Sequence, residues 1–388
     1  MYINRPDIYR RAACIVLAAA AYAVPVFSQA QAPKVELVTL AELSGPGANS
    51  GTHFKAGVEM AVKEINAAGG ILGRQISVKT LDTQSNPSVA KALATKAVDD
   101  EAFAIMGPIF SGSVLVSMEV AKQGEVPNFV GGEATDITLR QNPYVFRTSF
   151  SQARSMPKVA RYVADTARGK PVAIVYVNND FGKGGRDAVN REFKALGTPV
   201  AAEVSTDQGQ VDFSSVVLQV KRSNAELLFA YLTVEESARL LRELRKQGWD
   251  KPILGETTIM QQSVITLAGE AANGARGHVG LTIDAPNPLV KAFADRFERD
   301  YKFKSSHEGI KGYTGVYILK AVTERVGKFD RKAVAAAMKN LKLSAKDHPG
   351  ILLDVSYDDK GDIDRESYIV EVKNGVQAVI ATLPALGR

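Results

Sequence analysis

From Val35 onward, short runs of β-branched and aliphatic residues alternate with longer segments whose apolar positions recur every three to four residues. That rhythm predicts strands joined by crossover helices, and therefore parallel sheets. VELVTL at 35–40 leads into a helix expected near 51–68, where Phe54, Val58, Ala61 and Ile65 form one apolar stripe and Gly69 and Gly70 mark the end. QISVKTL at 75–81, FAIMG at 103–107 and PNFVG at 127–131 read as further strands, with helices expected near 87–99 and 111–123. After FRTSFS at 146–151 the rhythm restarts. VAIVYV at 172–177, PVAAEVS at 199–205, ELLFAYL at 226–232 and PILGE at 252–256 alternate with helices expected near 184–196, 212–223 and 235–247. The pattern predicts two doubly wound α/β lobes. Two more helices are expected, one at 287–303 with Val290, Phe293, Phe297 and Tyr301 on one face, the other starting near Tyr313. The tail reads as two antiparallel strands around 351–357 and 366–372, joined by the turn-forming DDKGD at 358–362.

The first 30 residues break this pattern. Arg5, Arg10 and Arg11 precede an apolar stretch from Ala12 to Phe27, and small residues follow at Ser28 and Ala30. This is the layout of a secretory signal, with cleavage expected after Ala30. The apolar run is about 16 residues and contains Pro25, short of the ~20 that span a bilayer. Removing those residues, with three arginines against one aspartate, lowers the formal net charge from +6 to +4. The basic residues are scattered among acids, without the dense runs that follow a nucleic-acid backbone, so no nucleic-acid partner is expected. The only cysteine, Cys14, lies within the signal, and the remaining chain has no disulfide and no thiolate metal site.

A doubly wound fold serves dehydrogenases, hydrolases and receptors alike, so function has to come from the site. No GxGxxG follows the first strand, and GxxxxGK[ST] and GxSxG are absent. The four histidines, His53, His278, His307 and His348, stand singly, without the HExxH spacing of a zinc site, and read as surface or structural residues. Neither an enzyme nor a cofactor or metal is expected. What remains is a set of small polar loops at the carboxyl ends of strands, where open α/β sheets bind ligands. Ser111, Gly112 and Ser113 open a helix, whose free amides, dipole and serine hydroxyl suit a carboxylate. An ordinary helix cap at Ser111 is the plainer alternative. A second loop, GGEATD at 131–136, would lie beside the first; Gly131 and Gly132 permit close approach and Thr135 offers a hydroxyl.

Four segments carry a resemblance: LSGPGANSG at 43–51, GVEMAVKEINAAGGILGRQI at 57–76, GPIFSGS at 107–113 and NDFGKGG at 179–185. Across essentially everything after the signal, the chain resembles the periplasmic leucine/isoleucine/valine-binding proteins of ABC transporters, of the type I periplasmic-binding family. The resemblance implies two Rossmann-like lobes joined by a three-strand hinge, lobe one at 34–150 plus 281–357 and lobe two at 151–280 plus 358–388. It implies an exported periplasmic monomer that binds a branched-chain or related amino acid between its lobes and delivers it to a membrane permease. An aromatic or other small carboxylate, an amide, or a role as a sensing receptor subunit are the alternatives. By position, the family's carboxylate serine matches Ser111, beside Gly112. Its second loop matches Gly132, Glu133, Ala134 and Thr135, and its covering aromatic matches Phe181. Ser50 stands where the branched-chain binders have a tyrosine. The acid for the ligand's ammonium falls at Thr257, with Glu256 one place away.

Overall fold

The structure is a computed structural model that describes residues 1–2 and 34–387; the expected signal, with Cys14, otherwise lies outside the described residues. The first half alternates as the apolar pattern requires: β1 (Val35–Ala41), α1 (Ala48–Ala67), β2 (Ile76–Asp82), α2 (Pro87–Asp99), β3 (Ala104–Met106), α3 (Ser111–Gln123), β4 (Asn128–Val130), the single turn α4 (Asp136–Leu139) and β5 (Val145–Arg147). Its five strands form one parallel sheet in the order β2-β1-β3-β4-β5. Leu37 of β1 lies opposite Val78 on one side and Ala104 on the other.

The second half repeats the scheme with α5 (Gln152–Ala167), β6 (Val172–Val177), α6 (Asp180–Ala195), β7 (Val200–Thr206), α7 (Ser214–Arg222), β8 (Leu227–Tyr231), α8 (Val234–Lys246), β9 (Ile253–Glu256), α9 (Gln262–Ala268) and β10 (Arg276–Val279). The parallel strands run β7-β6-β8-β9-β10, the same permutation as in the first sheet. The chain then supplies α10 (Pro288–Tyr301), α11 (His307–Val326), α12 (Arg331–Ala337), β11 (Lys342–Leu343), β12 (Val355–Tyr357), β13 (Ile363–Asp364), β14 (Ser367–Lys373) and β15 (Val376–Leu383). β14 joins β10 antiparallel and β15 extends that sheet to seven strands.

α10 and α11 pack on α1, returning to the first lobe. Glu64, inside the EINAAGG segment, organises this return. Its carboxylate accepts from Arg296 Nε at 2.9 Å and from the hydroxyls of Tyr313 and Tyr317 at 2.5 and 3.1 Å. The α1–α11 contact is backbone on backbone: a Cβ on Gly57 would sit 2.0 Å from the Gly309 carbonyl oxygen, and one on Gly312 would sit 2.3 Å from that of Phe54. Glycine is there for close approach, not for a turn.

The chain passes between the two halves three times, at 148–151, at 280–287 and at 365–366, the last leaving a small third sheet, β11-β12-β13. The last crossing follows β13, which pairs antiparallel with β12. The turn at 358–362 therefore folds 355–357 onto 363–364, and the expected pairing of 351–357 with 366–372 does not form. The register explains why: β14 is taken by β10 and β15, from His278 opposite Ile369 to Tyr368 opposite Thr382.

Candidate functional site between the strand tips

In each sheet the strand order reverses once, opening a crevice between β1 and β3 and between β6 and β8. A cavity of about 810 Å³, partly open to solvent, lies where these crevices face each other. One wall carries Pro46 and Ser50 after β1, Ser85 after β2, residues 109–113 after β3, and Gly131 and Glu133 after β4. The facing wall carries residues 179–181 after β6, Gln208 after β7, Thr233 and Val234 after β8, and Thr258 after β9. The start of α11 contributes His307, Glu308 and Lys311.

Ser111 is the first residue of α3, after Phe110 at the capping position. The amides of the first helical turn have no intrahelical acceptor. α6, α8 and α11 each begin with an acid that offsets their positive ends, but α3 has none. The Ser111 hydroxyl oxygen accepts the amides of Glu133 and Ala134 at 3.2 and 3.1 Å. Ser111 therefore clamps the two loops together instead of capping its own helix. With both lone pairs engaged, its O–H remains available to donate to an acid group. Behind this seat the buried Glu42 carboxylate accepts the amides of Ile109 and Phe110 at 3.2 and 3.0 Å, fixing the approach to α3. Burial pushes Glu42 up to about 7 despite those two amides.

The second loop is held from behind. Arg147, fully buried, donates to the carbonyls of Gly132 and Ala134 at 2.6 and 2.7 Å and pairs with Asp362 at 3.1 Å. Ser151 donates to the same Asp362 at 2.7 Å. Lys311, 2% exposed, donates to Glu133 at 2.9 Å, to Glu308 at 3.3 Å and to the Gly131 carbonyl at 3.3 Å. Burial alone would lower the Lys311 ammonium, but the two carboxylates hold it above its ordinary value. Burial likewise favours the neutral form of Glu308, yet Lys311 and His307 outweigh it and hold that carboxyl at about 2. Burial raises Glu133 above the usual carboxylate range.

Across the cavity, Phe181 stacks on Tyr231 with ring centroids 4.2 Å apart. Gln152 joins the two walls: it accepts from the Thr135 amide at 3.4 Å and donates to the Phe181 carbonyl at 2.7 Å and the Tyr231 hydroxyl at 3.2 Å. The walls also meet at Gly112, where a Cβ would lie 2.8 Å from Asp180 Oδ2.

Of the residues expected from sequence, Ser50, Ser111, Gly112, Glu133 and Phe181 line the cavity. Gly132, Ala134 and Thr135 stand behind that wall: their loop's backbone is committed to Arg147 and Ser111, although the buried Thr135 hydroxyl has no partner among the described residues. Glu256 and Thr257 line an adjoining small recess near the crossings, which shares Glu133, His307 and Lys311 with the cavity. Glu256 accepts the Thr257 hydroxyl and lies 3.3 Å from His278 Nδ1. Burial pushes Glu256 up to about 7 and His278 down to about 3. Sequence reasoning missed the start of α11, including His307, which it read as a surface or structural residue. The (i, i+3) spacing of Glu308 and Lys311 was the available signal.

A family model described as periplasmic binding protein matches residues 34–377. The chain is similar to a leucine-, isoleucine-, valine-, threonine- and alanine-binding protein of Pseudomonas aeruginosa, 24% identical over 340 residues that cover 87% of this chain and 90% of that one. Among solved structures it is similar to a leucine-binding protein, LivK, of Thermotoga maritima, with TM-score 0.82, 22% identity and coverage of 90% and 99%. It is also similar to a solute-binding protein of an ABC transporter from R. palustris in complex with benzoate, with TM-score 0.83, 22% identity and coverage of 92% and 98%. Two sheets of one permutation, facing strand tips and a family match over nearly all of the described chain agree: the chain belongs to the periplasmic binding protein family.

Proposed function

We propose that this chain is the solute-binding component of an ABC transporter, exported to the periplasm, binding a branched-chain or related amino acid and handing it to a membrane permease without turnover. Lobe one comprises 34–150 plus 281–364, extended from the expected 357 because β13 pairs with β12, and lobe two comprises 151–280 plus 365–388. The observation that carries the reading is the start of α3, which has no acid of its own, with the free Ser111 O–H, in a cavity walled by both sheets. A solute held by both walls favours the closed arrangement, because only differential contact shifts such an equilibrium. The name of the Pseudomonas aeruginosa relative supports an amino acid as the solute. A small aromatic carboxylate is a second reading, favoured by the benzoate complex of the R. palustris protein and by a seat that requires only an acid group.

A thermal-shift screen of the twenty amino acids and of aromatic acids tests both. A solute at a hundred times its dissociation constant should stabilise by about 2.7 kcal/mol. Ser111→Ala removes the donor and unpairs two amides, and should weaken binding roughly 10- to 100-fold. No midpoint rise with any acid, or unchanged affinity in Ser111→Ala, would remove the seat from the site.

A further inference from the structure

Three carboxylates line the cavity, and only one has a buried oxygen with nothing bound to it. Asp180 is exposed, so water solvates it. Glu133, 9% exposed, gives Oε1 to Lys311, and its Oε2 is not fully buried, so water can reach it. Glu308 is 4% exposed; its Oε1 lies 2.9 Å from His307 Nε2 and 3.3 Å from Lys311 Nζ, while its Oε2 has no hydrogen-bond partner among the described residues. An isolated buried carboxylate oxygen is costly unless something donates to it. Lys311 cannot serve further, because its three N–H bonds already reach Glu133, Glu308 and the Gly131 carbonyl. The Lys311 ammonium, helped by His307, thus stands against two carboxylates; Glu256, one place from the position the family resemblance gives to the solute's ammonium, also has an unpartnered Oε2, but it lines the adjoining smaller recess and not the cavity itself.

We infer that Glu308 receives a cationic, hydrogen-donating nitrogen of the solute, so that the site selects an acid bearing an amine over the same acid without one. This rests on the reading of the cavity as an acid-binding solute site and names the group that sets its specificity. The acid group sits at the start of α3 and the amine at the start of α11, where it supplies the missing donor and balances the second carboxylate.

The test is calorimetric titration of the whole mature protein, wild type and Glu308→Gln. The probes are the twenty amino acids and four nitrogen-free acids: 4-methylpentanoate (leucine without its amine), 3-methylbutanoate, benzoate and 4-hydroxybenzoate. Wild type should bind at least one amino acid roughly 10- to 100-fold more tightly than any nitrogen-free acid. Glu308→Gln should lose that preference by weakening amino-acid binding alone, and Glu308→Asp, which keeps the charge, should recover part of it. Equal binding of both classes by wild type overturns the inference whether or not the variant folds, as does an undiminished preference in a folded Glu308→Gln. If only nitrogen-free acids bind, Glu308 is excluded while the solute-binding reading stands. If neither class binds, both fall.

Discussion

Glu256 and Glu308 show how neighbours decide the state of a buried carboxylate. Glu308 has a cation within reach and is held at about 2; Glu256 has a hydroxyl and a neutral imidazole and is pushed to about 7. The two give stability opposite slopes. The Glu256 carboxyl ionises near 4.5 when exposed, so between about 4.5 and 7 the folded chain keeps a proton that the unfolded chain releases. Its contribution is fully present below 4.5 and is lost as pH rises through 7. Glu308 stabilises above 4.5 and loses that contribution as pH falls through about 2. Urea unfolding of Glu256→Gln should show greater stability than wild type at pH 8, by roughly 1–3 kcal/mol, and little difference at pH 4.5. An unchanged difference across that range would place the titration elsewhere.

Among the elements, the strands of the second lobe were the most legible, because VAIVYV and ELLFAYL are continuous apolar runs of the kind a sheet covered on both faces requires. β5 and β10 escaped notice. Each is three or four residues long and carries a buried polar side chain, Arg147 or His278, whose partners lie far along the chain. α6 and α11 begin earlier than expected, at Asp180 and His307, since Asn179 and Ser306 cap them and their glycines lie against neighbouring backbone and side chains. Glycine is a poor helix former by propensity, so the turn bearing Glu308 and Lys311 could not be read as helix without knowing what lies against it. Gly312→Ala should therefore destabilise although alanine favours helix. Overpacking against the Phe54 carbonyl should lower stability by roughly 1–3 kcal/mol in chemical denaturation, whereas a gain in stability would show that α1 and α11 can separate.

For the whole molecule, the repeated strand order was visible as two rounds of alternation, and the place of Ser111 at the opening of a helix after a strand was legible too. The loops' mutual bonding was not visible, because a hydroxyl joining residues 22 and 23 positions away leaves no local pattern. The lobes meet at Gly112 and Asp180, where a Cβ would lie 2.8 Å from the Asp180 carboxylate and a larger side chain would push it away. Gly112→Val should leave the thermal midpoint of the solute-free protein nearly unchanged while weakening solute binding severalfold, with X-ray scattering showing a more open average shape; unchanged affinity would mean that closure tolerates a wider gap. Arg147 has a consequence on the same scale. Its guanidinium grips the loop behind the cavity on one side and Asp362 on the other, and Asp362 is also held by Ser151 at the first crossing and lies just before the third. The pocket wall and the pivot thus share one anchor, so a rotation of the lobes cannot leave the grip on the solute as it was.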